Sequence, residues 1–452
     1  MNFFKTSSIC IILINLISCS ENNTNNDEPV VTPNSEFQGE IEWSKTFGGS
    51  NEDSAVSVVE TLDGGYAIAG FTQSLDGDII DKTATDSDYW LLKLNQNGDV
   101  LWSKTYGGTN EDSAAKLIQA TDGGFAIVGY SRSNDEDVSA NAGLQDLWMI
   151  KTSMTGEISW EKSFGFGGID QAFSIIQTAD DGYFITGFIE AADIDDKGNK
   201  ANKNITILHG GSSYWGIKLD ADGNQEWNHY FGGTGNDRGS DVIQTEDQGY
   251  IMIGSSESID LDITNNNGSY DFWIVKINSE GTMVWQKSFG GSQIDTSYTI
   301  EATGDGKYII VGDTRSNDGH ITNAKGVADL WIIQVDTAGN LIWQKSIGGT
   351  EFDTGRGIHR MDNGNFILTG NTRSNDLDVS DNKGQADLWN IMINTNGDIL
   401  WNETTGGSAN DIGFSCIQTS DKKIVVVGNS ESNDFDIPNN KGSKDLLIVK
   451  YK

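Results

Sequence analysis

A tryptophan returns along this chain at Trp43, Trp102, Trp160, Trp227, Trp285, Trp343 and Trp401, at intervals of 59, 58, 67, 58, 58 and 58 residues. Seven units therefore share one period, with a single insertion in the third. Each resembles the stretch Asn97 to Val128, NGDVLWSKTYGGTNEDSAAKLIQATDGGFAIV: the tryptophan, a polar strand, a Gly-Gly step and an aspartate. A fixed period of this size means one supersecondary unit used repeatedly. A second series, Trp90, Trp148, Trp215, Trp273, Trp331 and Trp389, accounts for the rest of the 13 tryptophans, with Leu447 in the seventh place. Identical units bury identical faces, so both series are packing elements.

The second unit shows what repeats. Four strands are expected at Ser113–Thr121, Phe125–Ser131, Asp146–Thr152 and Ile158–Phe164, with turns at Asp122-Gly123-Gly124 and Thr155-Gly156. Four strands in each of seven units describe an all-β, seven-bladed β-propeller. The chain ends agree. The last unit stops at its third strand, Asp445–Lys452, and an orphan fourth strand, Glu40–Phe47, stands at the other end of the repeats. Pairing the two closes the ring and hides the edges a linear array would expose. Runs such as Tyr66–Gly70 are apolar on both faces, as strands sandwiched between blades must be. The glycines Gly70, Gly129, Gly187, Gly254, Gly312, Gly370 and Gly428 are expected where neighbouring backbone or an indole comes close.

The formal charge of −36, from 66 acidic and 30 basic residues, argues against nucleic acid and anionic membrane surfaces as partners. Of the cysteines Cys10, Cys19 and Cys416, only the last lies in the repeats, so no disulfide within the domain is available. Residues 1–18 read as an export signal, with Lys5 followed by a short apolar run. Its end, Leu16-Ile17-Ser18-Cys19, resembles the lipobox of bacterial lipoproteins. That resemblance implies cleavage before Cys19 and lipid attachment there, with residues 19–39 as a polar tether and 40–452 as the propeller.

Geometry sorts the loops. The long loop between strands two and three shares a face with the crossover to the next blade, and both are acidic. The loop pattern is N-D-x-D-[IV]-x-x-N-x-G-x-x-D, as in Ser374–Trp389. Carboxylates around a glycine turn are suitable hard-oxygen ligands, which makes Asp135, Asp137, Asp146, Asp376, Asp378, Asp387, Asp434, Asp436 and Asp445 candidates for Ca²⁺, the one cofactor the composition suggests. The spacing is not that of an EF-hand. Aspartates repeated once per blade also serve as Asx turns and strand caps. No HExxH pair or GxSxG elbow is present, so no catalytic residue is assigned. The third unit departs most: its loop, Ala191–Tyr214, is longer and carries Lys197, Lys200, Lys203, Ile205, Ile207 and Leu208, a candidate partner contact.

Two resemblances follow. Asp220…Gly223…Trp227 and Asp336…Gly339…Trp343 resemble the D-x-x-G-x-x-x-W tryptophan-docking motif of quinoprotein-like propellers, in which the motif locks blades together. Those proteins typically have eight blades, and no quinone-binding residue can be carried over. From Cys19 to Lys452 the chain is similar to Bacteroidota lipoproteins built from propeller repeats. These features lead to an expected non-enzymatic module at the outer membrane, surface-exposed or on the periplasmic face, serving an envelope protein partner. A glycan- or Ca²⁺-dependent ligand binder is the alternative, and a hydrolase or lyase is a third.

Overall fold

Strands of seven or eight residues, with tight turns closing the first and last hairpin of each unit and a long loop between the second and third strands, meander in every unit. The computed structural model describes residues 37–190 and 210–452. Its strands form seven antiparallel four-stranded sheets in which neighbours in sequence are neighbours in space. Blades one to six start at Asp53, Asp112, Asp170, Asp237, Asp295 and Asp353, and blade seven starts at Asp411. Its fourth strand is Ile41–Phe47, paired with Asp445–Tyr451 so that Trp43 faces Lys450 and Thr46 faces Leu447. The closure expected from the chain ends is therefore the one observed. Phe37 and Gly39, ahead of the expected Glu40, join it: Phe37 meets Trp401 edge-on at 5.1 Å, and the Gly39 N–H donates to the Lys452 carbonyl.

The core lies between the blades. Seven apolar clusters occupy the seven interfaces, one each. Third strands such as Asp146–Thr152 and Asp271–Ile277 are buried along their whole length, which explains why they do not alternate. The second tryptophan series stands there, with Trp148, Trp273 and Trp331 fully buried. The indole N–H groups of Trp273 and Trp331 donate to Gln286 and Gln344 on the adjacent fourth strand.

The first series does different work. Each of its half-buried indoles lies on the turn glycine of the next blade. A Cβ on Gly223 (φ +79°) would stand 2.8 Å from Trp160, and one on Gly98 would stand 2.9 Å from Trp43. Gly39 makes the closing contact, on Trp401. The glycines of the second strands have another cause. A Cβ on Gly254 would stand 2.0 Å from the Arg238 carbonyl oxygen, and the equivalent distance at Gly70 is 1.7 Å, to Ser54. Backbone is the nearest obstacle at these positions, not an indole.

That close approach goes with a β-bulge in every innermost strand. In blade one Ala55 faces Gly70 and Ser57 faces Ala69, leaving Val56 unpaired. The equivalent residues are Ala115, Phe173, Ser240, Tyr298, Arg356 and Phe414. A bulge redirects the extra side chain. Here it turns seven side chains into the central channel, and all seven are half-buried.

Candidate functional site: the loop face and the central channel

The acidic loop residues are brought onto the crossovers, and each holds backbone. Asp135, Asp376 and Asp434 accept the N–H groups of Thr109, Thr350 and Ser408 at 2.8 Å. Asp137, Asp378 and Asp436 accept those of Gly107, Gly348 and Gly406 at 3.3, 3.1 and 3.3 Å. Asp146, Asp387 and Asp445 accept from Ala142, Lys383 and Lys441 within their own loops. Among the described residues, no group of three or more His, Cys, Asp or Glu side chains could hold a metal ion. Lys325, Lys383 and Lys441 reach across to Asp378, Asp436 and Asp78 of the following blade and staple the rim.

The Gly-Gly step and its aspartate form one device. At the crossover from blade four to blade five, Asp295 Oδ2 accepts the Gly291 N–H at 2.7 Å and the Ser316 hydroxyl at 3.0 Å, while Oδ1 takes the Thr314 hydroxyl. The first glycine fits between two carboxylates. A Cβ on Gly290 would stand 2.2 Å from Asp271 Oδ1 and 2.7 Å from Asp295 Oδ2. The second glycine is equally confined, 2.5 Å from Asp318 Oδ1. Burial, with Asp295 alongside, pushes the Asp271 carboxyl up to about 7. Burial also raises Asp88 to about 7 and Asp387 and Asp445 to about 6. In blade three Phe166 replaces the second glycine, yet its N–H still reaches Asp170 at 2.7 Å. Asp170 lacks the paired hydroxyl donors seen at Asp295, and burial takes it to about 7.

The opposite face carries a second repeated pair. Lys93, Lys151, Lys218, Lys276 and Lys450 are nearly buried and reach Asp63, Asp122, Asp180, Asp247 and Asp421 at 2.7 to 3.0 Å. Hydrogen bonds from Lys276 and Thr245 hold the Asp247 carboxyl down at about 2.

The channel breaks the seven-fold pattern most. Its cavity of about 320 Å³ is walled by the bulged residues and their neighbours. In its wall, Asp241 accepts the Ser174 hydroxyl at 2.6 Å and the Thr299 hydroxyl and Ile300 N–H at 3.1 Å, with Lys116 Nζ at 3.8 Å. Burial raises Glu301 to about 7 and lowers His359. Cys416 is buried, donates to the Ile367 carbonyl and is pushed well up by desolvation, so it stays a thiol. Arg356 lies over Tyr298 and Phe414, at 4.9 and 5.5 Å. Of these groups Lys116, Asp241 and Arg356 line the cavity and offer it charge.

The sequence reading assigned no residue to this channel. Its signal was present: after each crossover aspartate, the third residue on reads Val, Ala, Phe, Ser, Tyr, Arg and Phe. The place just before it is always small, reading Ala, Ala, Ala, Gly, Ser, Gly and Gly. Cys19 and the insertion residues Lys197, Lys200, Lys203, Ile205, Ile207 and Leu208 lie outside the described residues.

No family model and no curated protein matches the chain. Solved structures do match. Hydrazine synthase of Kuenenia stuttgartiensis is 9% identical with a TM-score of 0.48, covering 86% of this chain and 95% of that one. The Pan2 WD40 domain of Neurospora crassa is 7% identical with a TM-score of 0.47, covering 91% and 96%. Drosophila Plexin A in complex with Semaphorin 1b is 8% identical with a TM-score of 0.44, covering 91% and 88%. Likeness at this level carries no functional argument.

Proposed function

We propose that this chain is a lipid-anchored, non-enzymatic binding module of a bacterial cell envelope, tethered to the outer membrane through Cys19. It turns its loop face to a protein partner. One observation carries the reading: what repeats in the blades is consumed in holding the ring, whereas the channel residues and the third-unit loop differ from blade to blade. A ring of this kind is a rigid platform whose non-repeated surface is free to recognise something. The lipobox-like Leu16-Ile17-Ser18-Cys19 supports the membrane attachment.

The test is purification of the tagged full chain from native membranes in mild detergent, followed by mass spectrometry. A stoichiometric envelope protein, lost when residues 193–208 are deleted, is the expected result. Recovery of the chain alone would remove the partner. Cys19→Ser should shift the chain out of the membrane fraction; unchanged fractionation would remove the anchor.

A further inference from the structure

Arginine and open space coincide on the innermost strands of blades four and six in this acidic molecule. Of six arginines, Arg238 and Arg356 sit on innermost strands, and Arg132, Arg315 and Arg373 each follow a second strand; Arg360 ends the innermost strand of blade six. Among the described residues, only Arg132 has an ion pair, with Glu111 at 2.6 Å. Arg238, Arg315 and Arg356 lie on aromatic faces instead, Arg238 at 4.8 Å from Phe188 and Arg315 at 5.7 Å from Phe352. Buried Asp313, which accepts the Thr354 hydroxyl, and Asp241 of the channel wall are the nearby countercharges.

Two cavities meet there. The channel cavity is lined by Arg356, and a second of about 430 Å³, at blades four and five, is lined by Arg238, Tyr270 and Thr296; both include Phe173, Ser240 and Tyr298. Arg356 Nε is buried without an acceptor. A guanidinium resting on a ring keeps its in-plane donors available, which suits bidentate capture of a carboxylate. Aromatic walls favour an anion that brings a ring over a bare hydrated ion, which would gain nothing from apolar contact.

We propose that these connected cavities bind a small organic anion, a carboxylate carried on a ring, with Arg238 and Arg356 taking the charge and Phe173 and Tyr298 the ring. This goes beyond docking of a protein partner, and a chain that captures no partner can still show it.

The test is isothermal titration of the full chain in mild detergent with galacturonate and benzoate, using galactose and benzyl alcohol as neutral counterparts. One acid should bind at least roughly tenfold more tightly than its neutral counterpart and more weakly as salt is raised. Preference for galacturonate identifies an acidic saccharide, and preference for benzoate an aromatic acid. Arg238→Gln and Arg356→Gln should each weaken binding roughly tenfold, while Arg360→Gln leaves it unchanged. Arg356→Lys, which keeps the charge, should lose less, separating recognition from damage to the fold. Acids that bind no better than their neutral counterparts, or a double Gln variant that binds like the parent, would overturn the assignment.

Discussion

Glycine in this protein marks three kinds of confinement, and substitution should separate them. Gly364 has φ +83° with nothing within 4 Å of a built Cβ, so Gly364→Ala meets only the backbone penalty, about 1 kcal/mol. Gly223 has φ +79° and the Trp160 ring as well, so Gly223→Ala should cost about 2 to 4 kcal/mol. Gly254 has an ordinary φ but a carbonyl oxygen in the way, and Gly254→Ala should cost at least about 3 kcal/mol by breaking the bulge. Denaturant melts of the three variants check the order; equal losses would show that the indole and the carbonyl can yield. Cys416, buried and held as a thiol, should react with a thiol reagent only after unfolding.

At the scale of the strand and its crossover, buried carboxylates set the pH response. Asp88, Asp170 and Asp271 are raised to about 7, and Asp387 and Asp445 to about 6, so the folded chain holds more protons than the unfolded chain between about pH 4 and 7. Stability therefore falls as pH rises through that window. Asp63, Asp180 and Asp247, lowered to about 2, contribute stability that is present above about pH 4 and lost as pH drops toward 2. The melting temperature should peak near about pH 4, with a decline on both sides. Asp271→Asn should flatten the alkaline decline, and a decline of unchanged slope would contradict the assignment. The loop aspartates already hold backbone N–H groups, so a chelator should leave the melting temperature unchanged; a fall would return Ca²⁺ to consideration.

For the whole molecule, closure is the cooperative element. The strand Ile41–Phe47 covers the open edge of blade seven, and Gly39 and Phe37 complete the circuit of indole contacts at Trp401. Deleting residues 37–47 exposes that edge and one face of Trp401. Size-exclusion chromatography should then show self-association, with a broadened melt; a monomer melting like the parent would mean that six blades and a three-stranded seventh suffice.

The period, the strand count and the closing pair were legible in the residues, because a repeat must bury the same face seven times and a ring must hide its edges. Asp122-Gly123-Gly124 and the strand Phe125–Ser131 could be placed from turn chemistry and apolar runs alone. The role of the aspartates was only half legible. Composition allows Asp135 to be a metal ligand or a backbone clamp, and the crossover folded beside it made it the acceptor for Thr109. The lining of the channel was hidden, because a bulge is a matter of pairing register, decided when Ala114 and Lys116 find partners across the strand and Ala115 does not. Sequence fixes what each blade is made of, since local turns and repeated burial act within one unit. Which side chains gather on the axis is decided only by seven units closing on one another, since Phe173, Ser240, Tyr298 and Arg356 come from four different blades.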